Sequence, residues 1–163
     1  MKQPFILTLV SSVACAATAA NKAPENTTPT KSKTPNVVFI YADDLGYGDL
    51  ECYGAKNVQT PNVNRLAKSG ILFTNAHATA ATSTPSRYSM LTGEYAWRKE
   101  GTDVAAGNAG MIIRPEQYTM ADMFKSVGYT TAAVGKWHLG LGDQTATQDW
   151  NAPLPCALGD LGF

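Results

Sequence analysis

The feature that most constrains this chain is the apolar run Asn36–Ala42 (NVVFIYA), which ends directly at Asp43 and Asp44. A continuous β-branched and aromatic run is typical of a strand buried on both faces, as in a parallel sheet covered by helices. Segments with helical periodicity alternate with further short apolar runs along the chain. This alternation predicts an α/β fold with a largely parallel central sheet flanked by helices.

Capping residues and glycine stops predict three helices and two more strands. The first helix begins at Thr60-Pro61 and stops at Gly70, because threonine caps well and proline suits the first turn. The others are predicted over Pro85–Leu91, capped by Ser83 or Thr84 and ended by Gly93, and over Thr119–Val127, ended by Gly128. We expect the helix over Thr119–Val127 to face inward through Met120, Met123, Phe124 and Val127. Two further strands are expected at Ile71–Phe73 and Tyr129–Val134.

The N-terminal residues 1–20 have the layout of a secretory signal peptide, with Lys2 ahead of an apolar stretch and small residues. Cleavage after Ala17-Thr18-Ala19 would release a soluble protein, whereas Cys15 in a loose bacterial lipobox would become lipid-anchored. A buried amphipathic helix is the weaker alternative, because the segment has no polar face. Residues 21–35 are polar and Pro/Thr-rich, as in a flexible linker, so the domain is expected over 36–163.

The charge balance and the cysteines exclude several functions. Thirteen Lys+Arg balance thirteen Asp+Glu, and a net charge of zero gives no field for holding nucleic acid. The three cysteines have no CxxC spacing, which argues against a structural zinc site. If Cys15 leaves with the signal, Cys52 and Cys156 remain, and their spacing leaves open whether they pair.

The paired carboxylates of Asp43 and Asp44 follow a predicted strand, where ligands bind in open α/β sheets. Adjacent carboxylates repel each other unless a positive charge or a proton intervenes. A hard divalent cation, Ca²⁺ or Mg²⁺ in type, would relieve this repulsion by accepting oxygen ligands. Taken alone, the dipeptide is better explained as a solvated Asp-Asp turn, because acidic dipeptides are common in loops.

Two other clusters carry candidate functional side chains. Ser83 lies at the N-terminal edge of the second predicted helix, where an anion is favoured, and Arg87 four residues on can return its guanidinium to the same end. The plain alternative is a helix cap and a surface charge. Lys136 and His138 follow the last predicted strand, and an extended backbone would place both on one face, opposite Trp137.

The segment Ser83–Gly93 (STPSRYSMLTG) resembles the C/S-x-P-x-R…L-T-G motif of the type I sulfatases, which belong to the alkaline-phosphatase-like superfamily. Three further stretches agree with that family in the same order: Pro35–Gly48, Thr60–Ala76 and Gly135–Gly140 (GKWHLG). The motif is long and specific. The resemblance covers nearly all of the chain after the linker and implies an alkaline-phosphatase-like fold.

The resemblance implies a modified nucleophile beside a metal ion. Ser83 is similar to the residue that a sulfatase-maturing enzyme oxidises to formylglycine (3-oxoalanine), whose hydrate attacks sulfur and then expels sulfate. Asp43 and Asp44, together with the modified Ser83, resemble the ligands of a cation that is usually calcium. A serine at this position is similar to sites matured by an anaerobic radical enzyme, which with the signal implies a bacterial periplasmic or lipid-anchored protein.

The same resemblance assigns roles to the basic side chains. Arg87 is similar to the arginine that steadies formylglycine, while Lys136 and His138 resemble the pair that contacts the sulfate and the nucleophile or leaving-group side. The implied activity is sulfuric ester hydrolysis of a sulfated small molecule or glycan. A phosphohydrolase of the same superfamily, with Ser83 itself as nucleophile, and a non-catalytic remnant that only binds an ion are the alternatives.

The chain also departs from the family pattern. Type I sulfatases are several times longer and complete their site with a second histidine, a second lysine and another acid–amide pair of metal ligands. After His138 there is no histidine, and His77 precedes the nucleophile as a loop or packing residue. We therefore expect residues 36–163 to be the N-terminal part of a catalytic domain, inactive or nearly so and poorly soluble on their own.

Overall fold

The computed structural model describes residues 6–7, 34–144 and 147–163. Most of the expected signal peptide, including Cys15, and the linker up to residue 33 lie outside the described residues, so the predictions made there stay predictions. No helix within the described part of the chain has the length and apolar character needed to cross a bilayer. Cys52 and Cys156 are both half-buried free thiols.

Three α-helices and one small sheet make up the regular structure of the described residues. The helices are α1 (Pro61–Ser69), α2 (Ser83–Thr92) and α3 (Met120–Ser126). The strands β1 (Ile6–Leu7) and β2 (Ile40–Tyr41) pair antiparallel, with Ile6 opposite Tyr41. Short 3-10 turns lie at Tyr47–Asp49, Glu51–Tyr53, Ala96–Arg98 and Leu158–Leu161.

The bounds of α1 and α3 lie within one residue of the prediction, but of the two predicted threonine caps Thr119 forms a side-chain cap and Thr60 does not. α1 begins at Pro61 and ends before Gly70, although the side chain of Thr60 accepts a hydrogen bond from the Glu51 amide instead of capping the helix. α3 is one residue shorter at each end than predicted. Thr119 is its N-cap and forms a capping box with Asp122, whose amide donates to the Thr119 hydroxyl at 3.2 Å.

α2 is the central element of the core. It begins at Ser83, two residues earlier than predicted, and ends at Gly93, whose φ of 72° is the left-handed conformation that glycine adopts without strain. Tyr88 and Leu91 of this helix pack in one buried cluster with Ala96, Met111, Ile113, Leu139 and Leu161. Because α2 is buried on most sides, its polar residues are held by tertiary contacts.

The predicted parallel sheet, expected to be incomplete in this chain, does not form among the described residues. Only Ile40 and Tyr41 of the Asn36–Ala42 run are in a strand, and it pairs antiparallel; Ile71–Phe73 and Tyr129–Val134 form no strand. A strand exists only when a neighbour accepts and donates its backbone hydrogen bonds, and a parallel sheet also needs helices over both faces. Val38 and Val134, 73% and 99% exposed, show that these apolar runs lack that cover here.

The inward stripe predicted for α3 is wrong at two of its four positions. Met120 packs against the buried cluster, and Phe124 is half-buried against the Tyr129 ring. Met123 and Val127 are exposed. Helical periodicity identifies an apolar face, but its burial depends on a neighbouring layer, and the expected sheet is not formed in the described residues.

Candidate active site

The start of α2 brings the predicted nucleophile and arginine together. Ser83 occupies the first helical position and is half-buried, and Arg87 lies one turn further on the same face. The Arg87 Nε donates a hydrogen bond of 2.9 Å to the Ser83 Oγ. The helix N-terminus and the guanidinium therefore both present positive charge at the Ser83 side chain.

Arg87 connects α2 to two other predicted site segments. Its Nη1 donates to the Lys136 carbonyl oxygen at 2.6 Å, and its Nη2 lies 3.7 Å from Asp43 Oδ2. The guanidinium carbon also lies 5.4 Å from the centre of the Tyr41 ring, whose hydroxyl hydrogen-bonds Ser86. With only 7% of its surface exposed, Arg87 is held in one orientation by these contacts.

Asp43 and Lys136 form the second charged contact of the site. The Lys136 Nζ donates to Asp43 Oδ2 at 2.6 Å. This hydrogen bond is the main reason that the pKa of Asp43 lies below its ordinary value, and the charges of Lys136 and Arg87 act in the same direction against an opposing effect of burial. Asp43 is therefore an anion at neutral pH and is available as an oxygen ligand.

A cavity of about 200 Å³ collects the oxygen-bearing side chains predicted to hold a cation. Asp43, Asp44 and Ser83 all line it, and Asp44 is held at a φ of 56°. Two carboxylates and a hydroxyl are the donors that hard cations select, although Ca²⁺ takes six to eight oxygens. The described residues bring no group of three or more His, Cys, Asp or Glu side chains together. Asp43, Asp44 and Ser83 therefore fit as part of the oxygen ligands that a Ca²⁺ site needs.

His138 is placed differently from the prediction. Its φ is 57°, so residues 136–138 are not a strand that presents Lys136 and His138 on one face. The His138 Nε2 lies 3.0 Å from the Ala105 carbonyl oxygen, which can only accept, so this nitrogen carries the proton. The His138 Nδ1 is buried without a hydrogen-bond partner in the structure. The ring therefore points to the segment beside the cavity and does not contact Ser83.

Sequence reasoning missed the structural role of Thr84, whose side chain connects α2 to the loop that contains His138. Thr84 is fully buried; its Oγ1 donates to the His138 carbonyl and accepts from the Ala105 amide, both at 3.0 Å. The same loop passes close to Gly110, because a side chain at Gly140 would collide with the Gly110 backbone. The sequence showed only that Thr84 lies between Ser83 and Pro85 at the start of a helix. That position fits a helix cap as well as a buried side chain that hydrogen-bonds other segments.

We expect replacement of Thr84 by valine, which keeps its shape, to lower the free energy of unfolding by about 2 kcal/mol or more. The change leaves the part-buried His138 carbonyl and Ala105 amide without their partner, and an orphaned buried group costs about 1–3 kcal/mol. Chemical denaturation of the variant and of Thr74→Val, at an exposed position, measures the difference. Equal stability of the two variants would show that the Thr84 hydroxyl does not hold the loop.

Comparison with known proteins places these residues in a family. The family model described as Sulfatase matches residues 35–159. An N-acetylgalactosamine-6-O-sulfatase of Bacteroides thetaiotaomicron is 51% identical over 90% of this chain and 28% of its own length. Steryl-sulfatase of Mus musculus and arylsulfatase A of Homo sapiens are each 42% identical, over 83% and 71% of this chain and 22% and 23% of their own.

A solved structure agrees with the sequence comparisons. The protein, described with the metabolism of multiple glycosaminoglycans by Bacteroides thetaiotaomicron, superposes with a TM-score of 0.77 at 54% identity, over 81% of this chain and 27% of that one. The chain belongs to the sulfatase family, and its fold matches part of a solved sulfatase. It spans about a quarter of the length of the curated relatives it matches.

Proposed function

We propose that the protein containing this chain hydrolyses sulfate monoesters, with Ser83 as the site of the nucleophile. The observation that carries the proposal is the network in which buried Arg87 contacts Ser83, Asp43 and the backbone of Lys136 in a chain of the sulfatase family. Such a network is built to hold negative charge beside a nucleophile, which is what hydrolysis of an anionic ester requires.

The basic side chains lower the barrier by neutralising charge. A sulfate monoester is an anion, and attack on it adds charge at the oxygens around sulfur. Arg87, fixed by its contacts, stabilises that charge without reorganising, while Lys136 is half exposed and its ammonium, which contacts Asp43, would also bind the sulfate. Both side chains therefore favour the transition state over the free substrate.

We include two groups that the family implies, a cation and an oxidised Ser83. Asp43, Asp44 and Ser83 would hold the cation, proposed to be calcium, and it would supply further positive charge at the reacting oxygens. Oxidation of Ser83 to formylglycine by a maturing enzyme would supply a hydrated aldehyde, with one hydroxyl for attack and one whose deprotonation releases sulfate.

His138 is the proposed source of the proton for the leaving alcohol. To donate that proton His138 would have to be the imidazolium, with its Nε2–H, now directed to the Ala105 carbonyl, turned toward the cavity; donation then leaves the neutral imidazole. His138 lies two residues after Lys136, whose ammonium contacts Asp43 in the candidate site. The resemblance to the sulfatases assigns His138 to the active site together with Lys136.

A sulfated glycan is the proposed substrate, because one relative acts on N-acetylgalactosamine-6-O-sulfate, by its name, and the solved one is described with glycosaminoglycan metabolism. Export to a bacterial periplasm, in soluble or lipid-anchored form, fits such a substrate, since the glycan is too large to diffuse freely into a cell. The N-terminal signal pattern is the support for this location.

Turnover of matched aryl esters tests the proposed activity. We expect the protein that the native gene encodes to hydrolyse an aryl sulfate, to lose most of that activity when a chelator removes Ca²⁺, and to regain it when Ca²⁺ is restored. Hydrolysis of the aryl phosphate in preference to the sulfate would favour a phosphohydrolase. Calcium-dependent stabilisation with neither ester cleaved would favour an ion-binding protein without catalysis.

A further inference from the structure

A second cavity adjoins the candidate active site. It has a volume of about 380 Å³, and its lining includes Lys99, Glu100, Asp103 and Arg114. Val104 lines both this cavity and the one that contains Ser83, and it is 59% exposed between them. An exposed apolar side chain at this point offers a surface for the C–H face of a sugar ring. A ligand longer than one sugar could therefore extend from Ser83 into the second cavity.

The second cavity contains a cation that lacks a carboxylate partner. The Lys99 Nζ donates to the Ile112 carbonyl at 2.6 Å and lies 5.3 Å from the centre of the Tyr88 ring. Within the described parts of the chain, no carboxylate oxygen lies within 4.0 Å of this ammonium. Burial lowers the pKa of Lys99, and the nearby charge of Arg114 lowers it further, against smaller opposing effects of the Glu94 and Glu116 charges. An anion bound near Lys99 and Arg114 would favour the charged form of Lys99.

Arg114 supplies the accessible cation of the cavity. Its side chain is half exposed, and its Nε pairs with Glu116 at 2.8 Å, which leaves guanidinium donors for a ligand. Glu100 and Asp103 balance the two positive charges, so the lining has no net charge. A dense polyanion does not match such a lining. A hydroxyl-rich group with a single anionic substituent matches it, because carboxylates accept from sugar hydroxyls while the cations take the anion.

We propose that this second cavity binds the sugar residue that adjoins the sulfated one, and that Arg114, backed by Lys99, recognises an anionic group on that sugar. The inference rests on the proposed function and makes it more specific: the substrate is an acidic glycan of at least two sugars. The anionic group on the adjoining sugar is either a carboxylate or a second sulfate. Ala105, whose backbone contacts both His138 and Thr84, is also a lining residue of the second cavity and so connects that cavity to the active site.

Calorimetric binding tests this inference without turnover. The protein that the native gene encodes, with Ser83→Ala to prevent hydrolysis, is titrated with a disaccharide of 6-sulfated N-acetylgalactosamine and a hexuronic acid. A carboxyl-reduced disaccharide and one with a sulfate in place of the carboxylate are the comparison ligands. We expect removal of the carboxylate to weaken binding about tenfold or more, because a hydrogen-bonded ion pair is lost. If the sulfate-bearing ligand binds more tightly than the uronate, the anion recognised is sulfate.

The added change Arg114→Ala should erase the difference between the acidic and the carboxyl-reduced ligand, whereas Arg65→Ala on the exposed face of α1 should leave it intact. An undiminished preference for the acidic ligands in Arg114→Ala would overturn the inference, as would a failure of the parent to bind any of the disaccharides. Aryl sulfate turnover by the unsubstituted protein reports separately on the proposed function. Turnover combined with an undiminished preference would retain the sulfatase and reject the second sugar site.

Discussion

Replacement of Ser83 by alanine is expected to reduce hydrolysis of an aryl sulfate by a factor on the order of 10⁴ or more. Ser83 is the only side chain of the cavity at which both Arg87 Nε and the start of α2 direct positive charge. Without its oxygen there is nothing to oxidise and no atom to attack sulfur. Steady-state kinetics on the protein that the native gene encodes, before and after the substitution, measures the loss.

Ser126→Ala is the matched control for this substitution. Ser126 lies exposed at the end of α3, and its hydroxyl donates to the Met123 carbonyl within the helix. We expect its removal to leave turnover unchanged and stability nearly so. A Ser83→Ala variant that retained turnover within tenfold of the unsubstituted protein would mean that another residue carries the nucleophile.

Replacement of Arg87 by methionine is expected to lower kcat/KM by about 10²–10³ and the free energy of unfolding by about 3 kcal/mol. The kinetic loss follows because one fixed positive charge at the reacting oxygens is removed. The stability loss follows because Asp43 and the carbonyl of Lys136 lose a charged partner, in a site where Arg87 itself is almost fully buried. Since Asp43 is partly exposed, we use the lower end of the range for a broken buried pair.

Arg87→Lys separates the two effects. Lysine keeps the charge but cannot reach Ser83, the Lys136 carbonyl and Asp43 together, because those contacts use three different nitrogens of the guanidinium. We expect part of the stability to return while most of the kinetic loss remains. Full recovery of kcat/KM in the lysine variant would show that charge alone, and not the orientation of Ser83, is what Arg87 contributes. Urea denaturation and initial-rate kinetics on the same preparations give both quantities.

The site was more predictable from sequence than the fold around it. The grouping of Asp43, Ser83, Arg87 and Lys136 was expected, and the structure joins these four in one network. Spacing alone placed Arg87 on the same helix face as Ser83, and the resemblance to the sulfatases supplied their grouping with Asp43 and Lys136. The orientation of His138 was not predictable, because it depends on a left-handed backbone conformation and a contact with a distant carbonyl.

The strands could not be predicted because they depend on partners that local sequence does not describe. Val38 and Val134 lie in runs with strong β preference, yet both are exposed and outside any strand. Helix α2 could be predicted because its hydrogen bonds are internal and its end at Gly93 is local. Helices, whose backbone hydrogen bonds form within one segment, were therefore predicted better than strands, whose hydrogen bonds need a second segment.

The chemical state of Ser83 tests the central claim most directly. Trypsin releases residues Ser69–Arg87 as one peptide, and oxidation of Ser83 to formylglycine removes two hydrogens from it. Mass spectrometry on the protein purified from its native host should find this peptide lighter by two hydrogens, with fragment ions that place the loss at Ser83. A peptide of unchanged mass, from a preparation that hydrolyses sulfate esters, would contradict the assignment of Ser83 as the oxidised nucleophile.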